Sequence, residues 1–413
     1  MDLQKSNLHL SDRSAILLRS IESMRSTNSG GGSAVKFRVE RDVLAEAVAW
    51  TAKSLPARPQ APVLAGLMLS AAGEELVISG FDYEVSSRSQ LPAQVEQDGT
   101  VLVSGKLLAD IARALPNRPV EFSTDGPKVQ LVCGSSRFTL QTMPVDEYPA
   151  LPQMPKAAGS IAANTFAAAV AQVAVAAGKD DTLPFLTGVR VEISGDTLRL
   201  VATDRYRLAV REIMWKPETP DLDAVALVPA RTLHEIARSL TGGEWVTLAL
   251  SGTDKDEAGQ GLIGIEAAGK RTTTRLLEGE FIKYNSIFPS EFAGDAVIET
   301  AALIEAVKRV ALVAERNTPV RLAFSTGQVT LEAGTGDEAR ASETMDAVFE
   351  GEEISLAFNP GYLLEGLSAL DAPFTQLSYT TSTKPAVLTG RPAVDAEQDP
   401  AYRYLVMPIR LTG

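Results

Sequence analysis

Few residues in this chain could do acid–base or metal chemistry. Asp180, Asp181 and Asp204 are the carboxylates that stand out, yet none is accompanied by the second acid or base that such catalysis needs. Cys133 is the only cysteine, and His9 and His234 are the only histidines, more than two hundred residues apart. A Ser-His or Cys-His nucleophile pair cannot be assembled from that set, nor can a zinc cluster. No glycine-rich phosphate loop or nucleophile elbow flanks the carboxylates. The residues argue against an enzyme, and no cofactor or metal is expected. What they offer is recognition. Leu198, Leu200 and Ala202 alternate along a strand that runs into Thr203-Asp204, and Arg207-Leu208-Ala209-Val210 leaves as a second strand. Thr and Asp side chains bond nearby backbone N–H groups, so Asp204 is expected to cap this corner. Tyr206 between two arginines, and the terminal stretch Tyr404-Leu405-Val406-Met407-Pro408-Ile409-Arg410-Leu411, carry polar groups that core packing does not require.

The elements that must position these residues recur along the chain. Apolar side chains at i, i+4, i+7 and i+11 predict three helices: Leu44, Val48, Thr51, Leu55; Phe166, Val170, Val173, Ala177; and Leu303, Val307, Val310, Ala314. Alternating strand sequence follows each. Pro62-Val63-Leu64-Ala65-Gly66-Leu67 matches Pro184-Phe185-Leu186-Thr187-Gly188-Val189, and Thr318-Pro319-Val320-Arg321-Leu322 is a weaker third copy. Further on, each unit shows a strand, a small turn and a second helix with leucines seven apart: Leu108 and Leu115, Leu233 and Leu240, Leu363 and Leu370. The period of roughly 120 to 135 residues is far above that of solenoids, so these are repeated globular domains. Each half offers one apolar helix face and one apolar sheet face, and pairing two halves buries both. The fold class is therefore α+β, with three similar domains, each of two helices packed on antiparallel sheets. Interruptions by Pro, Gly and small polar residues place the domains at 35–155, 156–293 and 294–413. Residues 1–34, with Ser29-Gly30-Gly31-Gly32-Ser33, read as an extension or leader outside the fold.

Composition bounds the rest. The chain has 413 residues, 45% apolar and 22% charged, as in ordinary globular protein. No apolar run approaches a membrane span, so no membrane partner is expected. A single cysteine suits a reducing cytoplasm. The formal net charge of −13 speaks against nucleic acid only if charge is spread evenly, and a basic inner surface within an acidic exterior gives the same sum.

Several stretches, in order and at fixed spacing, carry a family likeness: Phe81-Asp82-Tyr83-Glu84, Met143 to Pro149, Asp180 to Pro184, Ala202 to Leu208, Lys384-Pro385-Ala386-Val387 and Met407 to Leu411. Over residues 35–413 the chain resembles the bacterial DNA polymerase III beta subunits, the sliding clamps, and the actinobacterial type in particular. The resemblance implies a DNA clamp fold that closes head to tail as a homodimer around duplex DNA, in the cytoplasm with the nucleoid. It implies a processivity factor that tethers the DNA polymerase III alpha subunit. The clamp loader, other polymerases and repair proteins would dock through short peptide motifs in the same way.

The resemblance also assigns residues. A peptide pocket between the second and third domains would use Leu186, Thr203, Arg205, Tyr206, Arg207, Leu208, Ile282, Asn359, Tyr362, Pro385, Met407, Pro408, Ile409 and Arg410. Such an apolar hole with few polar markers suits Leu, Phe or Met side chains of an extended motif. Helices lining the ring would touch phosphates without reading bases, through Arg58, Lys106, Arg113, Lys179, Arg231, Arg238, Lys308, Arg309 and Arg316. Salt-sensitive, sequence-independent contact is what sliding needs. The plain alternatives are core packing for the apolar residues and solvation for the exposed cations. Ile282 departs from the family, which generally has a proline there. That departure leaves open a second-copy clamp whose altered pocket resists an inhibitor. A repeat-domain scaffold that never encircles DNA, and a hydrolase using the acidic corners, are readings of other classes.

Overall fold

The computed structural model describes residues 34–240, 242–251, 261–314, 318–334 and 339–410; the leader expected over residues 1–34 thus falls, but for Ala34, outside the described residues. The chain divides into two compact units, one of residues up to Met154 with Ala268–Thr274, the other of Pro155–Ala267 with Arg275 onward.

In the first unit, helices α1 (Arg41–Thr51) and α2 (Gly105–Ala114) pack over antiparallel strands. The strand order is Val85–Pro92, Glu75–Phe81, Gly66–Ala72, Gly99–Ser104, Ser136–Met143, Lys128–Cys133, Val120–Asp125, Lys36–Val39, Gln94–Gln97. A later piece of chain joins outside Val85–Pro92, with Lys270 opposite Ser89 and Thr274 opposite Val85. Leu44, Val48, Leu108, Leu115 and the stacked pair Phe37–Phe122 lie in the core.

Among the described residues the second unit holds four α-helices: α3 (Ala163–Ala174), α4 (Ala230–Ser239), α5 (Thr300–Val310) and α6 (Pro360–Ala369). Its principal sheet has nine antiparallel strands in the order Asp223–Pro229, Gly188–Ser194, Thr197–Thr203, Arg207–Met214, Tyr402–Val406, Ala386–Arg391, Phe374–Tyr379, Gly294–Glu299, Val348–Glu350. The junction of Arg207–Met214 with Tyr402–Val406 joins the second repeat to the third. A four-stranded sheet, Ala341–Asp346, Gln328–Ala333, Val320–Ser325, Ile354–Phe358, completes the third.

The helical spacing expected from sequence marks the buried faces. Leu44, Val48, Thr51, Phe166, Val170, Val173, Leu303, Val307 and Val310 are all buried. The fourth position of each set falls beyond the helix: the helices stop at Thr51, Ala174 and Val310. Tighter 3₁₀ turns, Ala52–Ser54 and Ala311–Val313, follow the first and third, which places Leu55 and Ala314 only partly inside. Among the described residues, five of the six α-helices have no side-chain cap and α6 alone is capped, by Asn359, whose Oδ1 accepts from the N–H of Gly361 and Tyr362, with Pro360 pre-set at the first position.

A charged ladder crosses the second repeat. Glu192 lies opposite Arg199, and Arg199 opposite Glu212. Glu192 accepts from Arg190 Nε at 2.6 Å, Arg199 Nη1 at 3.2 Å and Tyr284 Oη at 2.7 Å. Burial pushes the Glu192 carboxyl up, but the bonds from Arg190, Tyr284 and Arg199 outweigh it and hold it below its ordinary 4.5. Burial, and then Glu192 itself, push the Tyr284 hydroxyl up to about 12. A depressed carboxylate stabilises the fold above its unfolded value, and the contribution is lost as pH falls through the folded one. Glu192→Gln is therefore expected to lower the urea midpoint near neutrality. The gap to the parent should close well below pH 4.5; a gap that stays constant with pH would show that the charge is not what matters.

Candidate functional site: a groove at the Thr203–Arg207 corner

The corner and the chain end meet because they are neighbouring strands. Arg207, Leu208, Ala209, Val210 and Arg211 pair with Val406, Leu405, Tyr404, Arg403 and Tyr402. Past that pairing, Met407 N–H donates to Tyr206 O at 2.8 Å and Ile409 N–H to Ala357 O at 2.7 Å. The segment Met407-Pro408-Ile409 is thus strung from the corner to the strand Ile354–Phe358. The strand Ala386–Arg391 pairs on the other side of Tyr402–Val406, which brings in Pro385.

The corner is closed by its own side chains. Asp204 Oδ1 accepts from the N–H of Tyr206 at 3.0 Å and of Arg207 at 3.1 Å, as expected of a turn-capping Asp. Thr203 Oγ1 donates to Arg207 O and accepts from Arg205 N–H. Arg205 sits at φ 78°, in the left-handed region where a side chain is strained. The first repeat turns the same way: Asp82 Oδ1 accepts from the N–H of Glu84 and Val85, and Tyr83 has φ 77°.

Arg207 is 2% exposed. Its Nε donates to Asp204 Oδ2 at 3.0 Å, its Nη1 donates to Glu365 on α6 and lies 3.4 Å from Tyr404 Oη, and its guanidinium stacks 4.4 Å over the Tyr362 ring. Burial alone would lower the guanidinium's proton affinity; Tyr404, Glu365 and Asp204 more than offset that, so the group is held charged. Tyr404 Oη donates to Tyr362 O, and a Cβ on Gly366 would overlap the Tyr404 ring, so α6 can approach this closely only with glycine there. Tyr206, 60% exposed, stacks on Tyr362 with centroids 6.2 Å apart.

Beside this hub opens a groove of about 590 Å³ lined by Leu183, Leu186, Lys179, Asp180, Arg205, Tyr206, Tyr362 and their neighbours. The hydrogen bond from Gly178 N–H to Leu186 O, 2.7 Å, draws the segment after α3 into its wall. Of the residues expected for a peptide pocket, Leu186, Arg205, Tyr206, Arg207 and Tyr362 line it. Leu208 is buried in an adjoining apolar cluster with Val201, Leu405, Phe281 and Tyr284, and Ile282 and Met407 pack half-buried against that cluster. Thr203 and Asn359 act on the backbone as described; Pro408 is buried, Pro385 and Ile409 half-buried, and Arg410 exposed. Lys179, expected among the DNA contacts, lies in the groove wall instead of on a helix. Asp180, Leu183 and Asp204 line it without having been expected to. The signal for Asp180 and Leu183 was their closeness to the repeated Pro184-Phe185-Leu186. Asp180 Oδ1 accepts from Thr182 N–H and Oγ1, and these bonds, with the Arg205 charge, hold its carboxyl below the usual range. Among the described residues no cluster of His, Cys, Asp and Glu could hold a metal ion.

Four of the cations expected at DNA recur at equivalent places on two helices. Lys106, Asp110 and Arg113 on α2 stand at i, i+4 and i+7, as do Arg231, Glu235 and Arg238 on α4, and all six are exposed. Arg113 lies 3.7 Å from Asp110, and Arg231 3.1 Å from Glu235. On α5, Lys308 pairs with Glu305 and Arg309 takes Glu343 through two bonds. Arg58 is exposed after α1, and Arg316 lies outside the described residues.

Removing the cation at the hub strands the largely buried Asp204 carboxylate, while Glu365 keeps access to water. Arg207→Met is expected to destabilise the second unit by about 3–5 kcal/mol, the cost of breaking one side of a buried pair. Calorimetry would register this as a lower melting transition; an unchanged one would show that the hub contributes nothing.

Three family models match the chain in sequence. These are the N-terminal, central and C-terminal domains of the DNA polymerase III beta subunit, over residues 35–152, 160–283 and 285–410. The "Beta sliding clamp" of Streptomyces coelicolor is 67% identical over 379 residues, 92% of this chain and all of that protein. The "Beta sliding clamp homolog GriR" of Streptomyces muensis is 49% identical over 376 residues, 91% of this chain and 99% of that protein. Among solved structures, a Pseudomonas aeruginosa sliding clamp bound to griselimycin superposes with a TM-score of 0.82 at 27% identity, covering 92% of this chain and 100% of that one. The Bacillus subtilis clamp, at 24% identity, shares the fold with a TM-score of 0.84 over 92% of this chain and 100% of that one. With its three domains of paired helices on antiparallel sheets, the chain belongs to the DNA polymerase III beta subunit family, the bacterial sliding clamps.

Proposed function

We infer that this chain is a replication processivity factor: a ring that encircles duplex DNA and tethers a polymerase through a peptide groove. The family match over all three domains carries this reading, and the groove at the Thr203–Arg207 corner supports it. The role is mechanical. A polymerase bound to a closed ring that loses its grip on the template stays linked to it, so each local dissociation is followed by rebinding. Contacts to DNA must then be weak and indifferent to sequence, because base readout would stop the ring. Exposed, salt-screened cations such as Lys106, Arg113, Arg231 and Arg238 have that character. Partners of the groove are peptides with Leu, Phe or Met anchors from the replicative polymerase, the clamp loader, other polymerases and repair proteins. The protein would work at the nucleoid. Identity to the Streptomyces coelicolor clamp, 67% against 49% to the clamp homolog of Streptomyces muensis, does not favour the second-copy alternative.

Ring closure would come from head-to-tail pairing of two copies. Leu312, on the turn after α5, is 84% exposed, the highest value for a large apolar side chain among the described residues. Among the described residues, Ala341–Asp346 is an edge strand with one open side, and Ser136–Met143 of the first unit is paired along Ser136–Gln141 only with Lys128–Cys133. Burying Leu312 in a subunit interface would stabilise the dimer by about 1.5–3 kcal/mol. Leu312→Asp should therefore convert a species near twice 43.9 kDa into one of 43.9 kDa in sizing experiments. A variant that stays dimeric would move the interface elsewhere.

The ring itself is tested by topology. Loaded onto a nicked circular plasmid by a clamp loader, the protein should be retained on the circle and lost once the plasmid is linearised. Equal retention on both forms would mean ordinary surface binding and would remove the ring mechanism.

A further inference from the structure

The third repeat keeps an acid that the other two neutralise on the same helix. Aligned on Leu108, Leu233 and Leu363, the second helices carry Lys106, Asp110, Arg113; Arg231, Glu235, Arg238; and Gly361, Glu365, Ser368. Asp110 has Arg113 at 3.7 Å and Glu235 has Arg231 at 3.1 Å. Glu365 has no cation on α6 and turns one oxygen to Arg207. That bond leaves negative charge over, because Asp204 and Glu365 set two carboxylates against one guanidinium. Glu365 stays 43% exposed.

A second acid stands at the end of α6. Asp371 follows the last turn, whose unsatisfied carbonyls already make that end negative, and no basic residue sits in that turn. Its side chain is exposed and forms no hydrogen bond or ion pair with any described residue. A carboxylate in that place weakens the helix and gains nothing inside the chain.

Both acids face one cleft. Between α3 and α6 lies a cavity of about 440 Å³, walled by Ala168, Ala171 and Val175 from one side and by Leu364, Glu365 and Asp371 from the other. The alanines are too short to fill it. No lysine, arginine or histidine is among the residues that line it. Gln172 ties the two helices together there: its Nε2 donates to Ala369 O at 2.9 Å, and its own carbonyl accepts from Tyr402 Oη at 2.9 Å.

We propose that this cleft binds a small organic cation, an ammonium group carried on a compact apolar body. The body lies against Ala168, Ala171, Val175 and Leu364, and the ammonium reaches Glu365 and Asp371 at the α6 end. The volume is that of a small-molecule site. Apolar contact supplies most of the affinity, and the half-exposed acids supply a modest, salt-screened selectivity for positive charge. The site is separate from the peptide groove and requires neither peptide nor DNA.

The test uses the full chain with methyl-labelled alanine, titrated at low ionic strength with phenethylamine and with phenethyl alcohol as its neutral counterpart. Methyl signals of Ala168, Ala171 and Ala369, identified by their loss in Ala→Ser variants, should move with the amine. A dissociation constant of about 1 mM is expected for a ligand of about nine heavy atoms. The alcohol should bind about fivefold more weakly, the ratio of one exposed ion pair. Asp371 holds φ 50°, which asparagine tolerates, so Asp371→Asn removes the charge and keeps the backbone. That variant should weaken the amine toward the alcohol's affinity and leave the alcohol unchanged, which also shows the cleft intact. Equal binding of amine and alcohol to the parent chain overturns the proposal. A preference that survives undiminished in Asp371→Asn overturns it too. So does an amine that moves only alanine signals outside the cleft, which would be adsorption on an acidic surface.

Discussion

The pairing of Arg207–Met214 with Tyr402–Val406 is the constraint on which the site depends. It welds strands of two repeats into one nine-stranded sheet and so sets a corner of one repeat beside the chain end of another. Everything at the groove follows from that register. Met407 can reach the Tyr206 carbonyl only because Val406 lies opposite Arg207. A slip of one residue would turn Tyr404 and Tyr402 to the other face and withdraw the hydroxyl that reaches Arg207. Antiparallel ladders resist such slips where one face is buried, and Tyr402 and Tyr404 are both almost fully inside.

Arg207 then makes the register costly to lose. A buried guanidinium is tolerable only with carboxylates and hydrogen bonds around it, and here the partners come from three places: the corner, helix α6 and the terminal strand. The same group that fixes the joint also forms groove wall. Stability of the joint and shape of the groove are therefore coupled, and changes at Arg207 report on both together.

Much of this could be read in the sequence, and what could not has a physical cause. The repeat was legible because apolar positions at helical spacing are dictated by burial, and Leu44, Phe166 and Leu303 with their successors are inside as that spacing requires. The last member of each set failed because an apolar residue also fits a 3₁₀ turn or loop packed on the core, and spacing alone cannot tell these from a further helical turn. At the site, Thr203-Asp204 was readable as a corner since its hydrogen bonds are local. The position of Lys179 was not. A lysine soon after a helix looks like any solvated cation, and only the long-range bond from Gly178 to Leu186 turns its segment into groove wall. Burial of Arg207 was likewise hidden, because its partner Glu365 lies 158 residues away.

The repeats show which part of the corner is scaffold and which part is site. Phe81-Asp82-Tyr83-Glu84 and Thr203-Asp204-Arg205-Tyr206 share the capping Asp and the positive φ one residue later. The turn is thus a property of the fold and does not by itself announce function. Among the residues that differ is the one that opens the next strand: Val85 in the first repeat, Arg207 in the second. Valine asks nothing of its surroundings. Arginine, once buried, must recruit Glu365, Tyr362 and Tyr404, and in doing so it draws an aromatic-rimmed helix end against the corner. In the turn that the two repeats share, a buried arginine at the second corner thus becomes part of the groove wall.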